Sequence, residues 1–364
     1  MAESAPKRLK TGPIIGTHNG HFHADEALAV YMLRMLPAYR HSTLLRTRDP
    51  KLLATCHTVV DVGGEYDPQR HRYDHHQRSF ATTFPGRETK LSSAGLVYLH
   101  FGRDIIMQKL AAAAAAQAET ETETKVDAEG GQQEHPHVGL LHDKLYSSFV
   151  EALDAHDNGI SLYDPAALAA AGLEKRFSDG RFTLGAMVSR FNPAWNDPVP
   201  QDPQAAQAAE DAQFEQASQR IGAEFERDLD YYASAWLPAR TIVQRAFEKR
   251  TEFDPEGRVL VFEGQSVPWK DHLYTLEDGT PSVLYVLYPE STAPGAKWRI
   301  QCVPAAEDSF TSRRPLPEAW RGFRDDELDA ISGIKGCVFV HAAGFIGGNK
   351  TFEGVKEMAI KALA

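Results

Sequence analysis

Residues 13–17, Pro-Ile-Ile-Gly-Thr, form a short apolar run that opens into a polar, histidine-rich loop, after which the chain turns to helical periodicity. Leu28, Tyr31, Met32, Met35 and Leu36 recur three and four apart, which predicts a helix over 26–36 stopped by Pro37. A second apolar run, residues 58–62, closes on Gly63 and Gly64. Strand, loop, helix, strand leaves few architectures open. The first half reads as an α/β domain with a parallel sheet flanked by helices.

Ligands of open parallel sheets bind beyond the carboxyl ends of the strands, and there this chain concentrates His and Asp. Four segments do so: His18, His21, His23 and Asp25 with Glu26; Asp61, ending the run at 58–62; Asp74, His75, His76 and Gln77; and Asp154, His156, Asp157 and Asn158. Separate strands can bring such segments to one place. Imidazole mixed with carboxylate, and no thiolate, suits Mn²⁺, with Mg²⁺, Zn²⁺ or Fe²⁺ less favoured. Two such ions about 3.5–4 Å apart can hold the attacking and leaving oxygens of a phosphoryl displacement. A carboxylate has two oxygens, so Asp61 is the candidate bridge. Each segment also has a plainer reading: a surface His-x-Asp pair, an Asp starting a turn, an exposed His-His loop, and an Asp pair capping a helix end.

Beyond the first half the chain changes character. Six alanines at 111–116 lead into a Thr/Glu repeat, two glycines and a Gln/His/Pro stretch, so 111–137 reads as a mobile insertion in which only the alanines extend a helix starting near Ser93. His135 and His137 are expected to be solvated. Four prolines between 193 and 203 precede a long amphipathic helix striped by Phe214, Ile221, Phe225, Leu229, Tyr232 and Trp236 and ended by Pro238. Runs at 259–262, 282–287, 298–303 and 337–341 read as strands, and 352–363 as a closing helix. The expected organisation is a metal-binding domain over 12–203, a connecting helix over 204–237, and a smaller α+β domain over 238–364.

A chain of 364 residues favours two domains. No apolar run is long enough to span a bilayer. Cys56, Cys302 and Cys337 are too few and scattered for a disulfide framework, which suits a reducing, intracellular setting. The net charge of −11 argues against wholesale coating of nucleic acid, but not against local engagement of a strand through metal ions and a few basic side chains. Lys7, Arg8 and Lys10 read as a frayed basic terminus, or a weak nuclear-import patch.

Asp74-His75-His76, a strand-end Asp61 and a His-rich first motif resemble the DHH phosphoesterase superfamily. More closely, Ile15-Gly-Thr-His-Asn-Gly20, Phe22-His-Ala-Asp-Glu-Ala-Leu28, Asp74-His-His-Gln77, Asp157-Asn-Gly-Ile160, Ser189-Arg-Phe-Asn-Pro-Ala-Trp195, Trp298-Arg-Ile-Gln-Cys302, Pro317-Glu-Ala-Trp-Arg321 and Gly344-Phe-Ile-Gly-Gly-Asn-Lys-Thr351 resemble the Myg (melanocyte proliferating gene protein) family of metal-dependent RNA exonucleases, over nearly the whole of 14–362. The resemblance implies a DHH-type first domain and a smaller DHH-associated-like second domain.

It also implies roles. The metal ligands would be His18, His23, Asp25, Asp61, His75 and Asp154, with Asp157 the rival for the last place. The alternative register of the first motif takes His21 for His18, which leaves Ala27 in a ligand position. Asp61 would bridge, Asp74 orient or co-ligate, and His76 contact phosphate. Arg190, Arg299, Gly347, Gly348, Asn349 and Lys350 would bind substrate, the glycine-rich stretch by offering backbone N–H groups at a helix start; its other reading is a turn that needs glycine geometry. Trp195 and Trp298 either stack on bases or lie in the core.

The implied activity is 3′→5′ hydrolysis of single-stranded RNA to nucleoside monophosphates with two divalent ions, Mn²⁺ or else Mg²⁺, and no membrane partner, in the nucleus or mitochondrion. The alternatives are a phosphoesterase for pyrophosphate or short or cyclic oligonucleotides, and a non-catalytic RNA-binding protein.

Overall fold

The computed structural model describes residues 12–120, 136–177, 180–279, 282–307 and 309–364. The expectations for Lys7, Arg8, Lys10 and His135, and most of the expected mobile insertion, lie outside the described residues. Two compact units result, one ending at Tyr232 and one beginning at Ala233.

The first unit is built on strands β1 (Ile14–Thr17), β2 (Thr43–Arg46), β3 (Thr58–Val60), β4 (Tyr66–Asp67) and β5 (Arg72–Tyr73), in the order β2-β1-β3-β5-β4. β2, β1, β3 and β5 run parallel; β4 is an antiparallel edge, so the sheet is mixed rather than purely parallel. The central β1 needs Gly16, because a Cβ there would come within 2.8 Å of Cys56 Sγ. The first helix, α1 (Ala24–Met35), starts two residues before the periodicity suggested. Its Ala27 carbonyl accepts a 2.7 Å hydrogen bond from Ser218 in the helix Pro203–Tyr231. Gly222 of that helix lies where a Cβ would strike the Tyr31 ring at 2.1 Å. Such close approach makes the long helix part of the first unit's core, not a free connector.

Pro238 does not end the helical run. A π-helical turn, Tyr232–Trp236, is followed by the helix Leu237–Glu248, with proline in the first turn where its missing N–H is tolerated. The helix from Ser93 does continue through the alanines, to Thr120. A second π-helical turn, Tyr146–Val150, joins the helix Val138–Leu145 to Glu151–Asp157.

The second unit carries β6 (Val259–Val261), β7 (Tyr285–Pro289), β8 (Trp298–Cys302), β9 (Cys337–Val340) and β10 (Ile346–Asn349) in the order β6-β7-β8-β10-β9. Only the β6–β7 pair is parallel. Val259, Val261, Tyr285 and Leu287 face one core with Val355 and Met358; Leu260 and Val286 face another with Val243 and Leu273. Burial on both faces explains why these strands read as continuous apolar runs.

β10 corrects the expectation for the glycine-rich stretch. Gly347, Gly348 and Asn349 are paired on both sides, to β8 and β9, so they offer no turn at a helix start. The glycines serve close packing: a Cβ on Gly347 would sit 3.0 Å from the Phe339 carbonyl, and one on Gly348 would sit 2.7 Å from that of Trp298. Asn349 is fully buried, and its amide donates to the Lys335 carbonyl at 2.9 Å. Among the described residues no helix is long and apolar enough to cross a membrane.

Candidate metal centre

The loop after β1 presents His18, that after β3 presents Asp61, and that after β5 presents Asp74, His75 and His76. The strands are neighbours, so their carboxyl ends place these side chains together. Asp61 adopts φ +55°, a left-handed conformation that aspartate tolerates better than most residues, and Gly63 and Gly64 follow with positive φ. The tight exit folds the Asp61 carboxylate back over the sheet end, where it is buried.

Its two oxygens face different imidazoles. Oδ2 lies 3.4 Å from His18 Nε2 and Oδ1 lies 3.4 Å from His75 Nε2. Two donor groups share this carboxylate, His18, His23, Glu26 and Asp61, and Asp61, His75 and His76; a third, Asp25, His75 and Asp157, joins the second through His75. Glu26, which sequence reasoning passed over as a ligand, is fully buried on α1 and its Oε1 sits 3.1 Å from His18 Nε2. Its signal was weak, since an acid in the first turn of a helix is ordinary capping; Oε1 does accept from the His23 backbone N–H at 2.9 Å. His21 is exposed and joins none of these groups.

Asp154 departs from the expectation. It is fully buried, and its Oδ1 accepts from the Ser92 N–H at 2.9 Å and the Ser92 hydroxyl at 2.7 Å, while Oδ2 accepts from the Tyr146 hydroxyl at 2.9 Å. The π-helical turn that carries Tyr146 leads directly into the helix that carries Asp154. Asp157 instead reaches the cluster, with Oδ2 3.0 Å from His75 Nε2. Asp25 accepts from the Ser93 and Ala94 N–H groups at 3.0 and 2.5 Å, so two acids pin the start of the helix Ser93–Thr120 beside the cluster. Asp74 holds the exposed His76, whose Nδ1 lies 2.7 Å from its Oδ1, and accepts from the Gly64 N–H.

The electrostatics mark a place short of positive charge. Burial, then the neighbouring Asp157 and Asp61, push Asp25 well above the usual carboxylate range. Burial alone would lower His18 and His75, but hydrogen bonds to Asp61 and Glu26 raise the first to about 10, and those to Asp157 and Asp61 raise the second to about 10. Burial would lift Asp61, yet the two imidazoles hold it far below its ordinary value. Even so, Glu26 Oε2 and His75 Nε2 are buried without a well-formed hydrogen bond. Unsatisfied N and O donors beside three crowded carboxylates fit divalent cations better than they fit one another.

A cavity of about 500 Å³ opens on this cluster, lined among others by His18, His23, Asp25, Asp61, His76, His156 and Asp157. Arg48, two residues past β2, lines it too; it is exposed and has no ion-pair partner among the described residues. Sequence reasoning missed it because nothing marks β2 as the neighbour of β1. The expected substrate residues lie elsewhere. Arg190 is exposed and donates to the Arg181 carbonyl at 3.0 Å, next to the cavity-lining Ser189. In the second unit Arg299 pairs with Glu290 and lies over the Phe339 ring, while Lys350 is exposed beside Trp298, Thr351 and Phe352 in a separate cavity. Trp298 packs on the second unit's core, and Trp195 is 97% exposed.

Fold and site together define a mixed α/β protein with His and carboxylate donors gathered at the carboxyl edge of its first sheet, the class in which a divalent-cation centre is expected. A family model described as an uncharacterised protein family (UPF0160), MYG1_exonuc, matches residues 14–363. The chain is 48% identical to the "MYG1 exonuclease" of Bos taurus over 98% of its own length and 86% of that protein's. It is also 48% identical to the Homo sapiens "MYG1 exonuclease", over 99% and 89% respectively. The "MYG1 protein" of Dictyostelium discoideum is 42% identical, over 96% of each chain. No solved structure matches. The chain belongs to the MYG1 family.

Proposed function

We propose that the protein is a divalent-metal-dependent 3′→5′ exoribonuclease of DHH type, releasing nucleoside monophosphates from single-stranded RNA in the nucleus or mitochondrion. The observation that carries this reading is Asp61, whose two oxygens lie equally close to His18 and His75 and which two of the three donor groups share. Relatives at 48% identity are named exonucleases, which supports a nuclease over other phosphoesterases.

His18, His23, Glu26 and Asp61 would hold one cation and Asp25, His75 and Asp157, with Asp61 shared, the other, Mn²⁺ preferred and Mg²⁺ accepted. When bound, such a pair supplies Lewis acidity and an activated water at neutral pH. The chain does the rest. His76, exposed and oriented by Asp74, donates to a phosphoryl oxygen as negative charge develops there. Arg48 pairs with the phosphate at the cavity mouth. Asp154 contributes by fixing the helix that carries Asp157. Of the two second-unit cations expected to bind substrate, Arg299 is paired with Glu290, while Lys350 has no ion pair among the described residues.

A second reading, hydrolysis of pyrophosphate or short or cyclic oligonucleotides, is favoured by the net charge of −11. Manganese-loaded protein and 5′-labelled RNA distinguish the two. A ladder shortened from the 3′ end supports the exonuclease. Phosphate release from pyrophosphate with RNA intact moves the assignment to the second reading, and RNA binding without turnover, unchanged in Asp61→Ala, makes the protein a non-catalytic binder.

A further inference from the structure

The chain is acidic overall, yet between 175 and 195 it interleaves arginine with aromatic side chains: Arg176-Phe177, Arg181-Phe182, Arg190-Phe191, then Trp195. A core would hide these rings. Here Phe177 is 80% exposed, Phe182 96% and Trp195 97%, and the three arginines are exposed as well. Large aromatic rings left this open within one short stretch of chain call for an occupant.

Position says which kind. Gly180, Thr183, Gly185, Ala186 and Ser189 of the same segment line the cavity that holds His18, Asp61 and Asp157, so the exposed rings belong to a segment that forms part of the cavity wall. The segment is also fastened to the metal-binding loop. Asn192 accepts from the Phe22 N–H at 2.9 Å and donates to the Phe22 carbonyl at 2.9 Å, a reciprocal pair between His21 and His23. Trp195 therefore lies three residues from a direct tether to that loop. Cations repel the cationic surface of an unlike partner but match a polyanion, and flat rings offer faces to unpaired bases of any sequence.

We propose that this segment is a track for single-stranded polynucleotide, with Phe177, Phe182 and Trp195 stacking on bases and Arg176, Arg181 and Arg190 neutralising phosphates of the strand behind its reacting end. The inference rests on the nuclease reading and deepens it: it makes the substrate a strand several nucleotides long and unpaired.

The test uses the full chain. Fluorescence anisotropy with a labelled 12-nucleotide RNA in EDTA measures strand binding without turnover, and kcat/KM for the 12-mer over that for a dinucleotide measures the track during catalysis. Phe182→Ala combined with Trp195→Ala weakens 12-mer binding about tenfold or more per ring removed, and lowers the 12-mer to dinucleotide ratio by a similar factor. Arg181→Glu steepens the loss at low salt and narrows it at high salt. In the unaltered protein RNA quenches tryptophan fluorescence, and Trp195→Phe removes most of that quench. These side chains are exposed, so an unchanged thermal melt certifies the fold of each variant. Wild-type 12-mer affinity in the double variant overturns the track while leaving the nuclease reading standing. A wild-type protein that neither binds nor cuts RNA overturns that reading itself. A variant whose loss is of self-association, seen by light scattering, with RNA affinity intact makes the patch a contact between copies and overturns the track.

Discussion

Asp154→Asn and Asp157→Asn alter the same helix three residues apart, and the structure assigns them opposite outcomes. Asp157 is partly exposed and its Oδ2 faces His75 Nε2 at 3.0 Å. Losing its charge removes one of four carboxylates, Asp25, Glu26, Asp61 and Asp157, from the cluster. At an effective dielectric near 20 a unit charge about 4 Å away contributes about 4 kcal/mol. If the amide oxygen recovers about half, the remaining ~2 kcal/mol corresponds to roughly a 30-fold loss of affinity, and the doubled charge of a divalent ion carries this past about 100-fold. The fold should be unaffected. Asp154→Asn leaves an amide oxygen to accept from Ser92 N–H and hydroxyl and turns only the Tyr146 contact around. That exchange costs about 1 kcal/mol of stability and no metal. Each variant is loaded with Mn²⁺, desalted and analysed for metal per chain, with thermal melts alongside. The reasoning is refuted if Asp154→Asn loses an equivalent of manganese while Asp157→Asn keeps both.

Five further outcomes follow from the geometry. His18 and His75, each raised to about 10, are protonated in the metal-free protein at pH 8, so calorimetry in buffers of different ionisation heats should show Mn²⁺ uptake releasing about two protons. Because both folded values exceed the unfolded one near 6.5, their contribution to metal-free stability is complete below that pH and lost as pH rises towards about 10, which a series of melts would record. Arg48→Ala should raise KM for RNA about tenfold with a smaller change in kcat and unchanged metal content, and Arg48→Lys should restore part of it. Glu277 binds Arg313 through both oxygens at 2.8 Å and accepts from Ser282 and Val283 N–H at 2.9 Å, so Glu277→Ala should destabilise the second unit by about 3–5 kcal/mol in urea unfolding. Gly348→Ala, which forces a Cβ to within 2.7 Å of the Trp298 carbonyl, should cost about 1–3 kcal/mol in the same assay.

The opening of the fold was legible because it rests on periodicity and punctuation. The apolar runs of β1 and β3, the apolar face of α1 and the stop at Pro37 each carry a local signal. So did the gathering of His18, Asp61 and His75, since neighbouring parallel strands end on one edge. What failed depended on partners distant in sequence. β4 and β5 have two residues each and no pattern. β10 hid behind its glycines, whose purpose appears only once β8 and β9 press on both sides. That Asp157 faces His75 while Ser92 and Tyr146 hold Asp154 is visible only once those distant residues are in place. Arg48 and Glu26 required knowing which strand lies beside β1 and which way the first turn of α1 faces.

The central claim is that one carboxylate, Asp61, is shared by two cations. Anomalous diffraction at the manganese edge from Mn²⁺-soaked crystals tests it directly. The account predicts two peaks about 3.5–4 Å apart, one beside His18 and His23, the other beside Asp25, His75 and Asp157, with Asp61 between them. Density beside only one of these groups, or peaks that Asp61 does not touch, would contradict it.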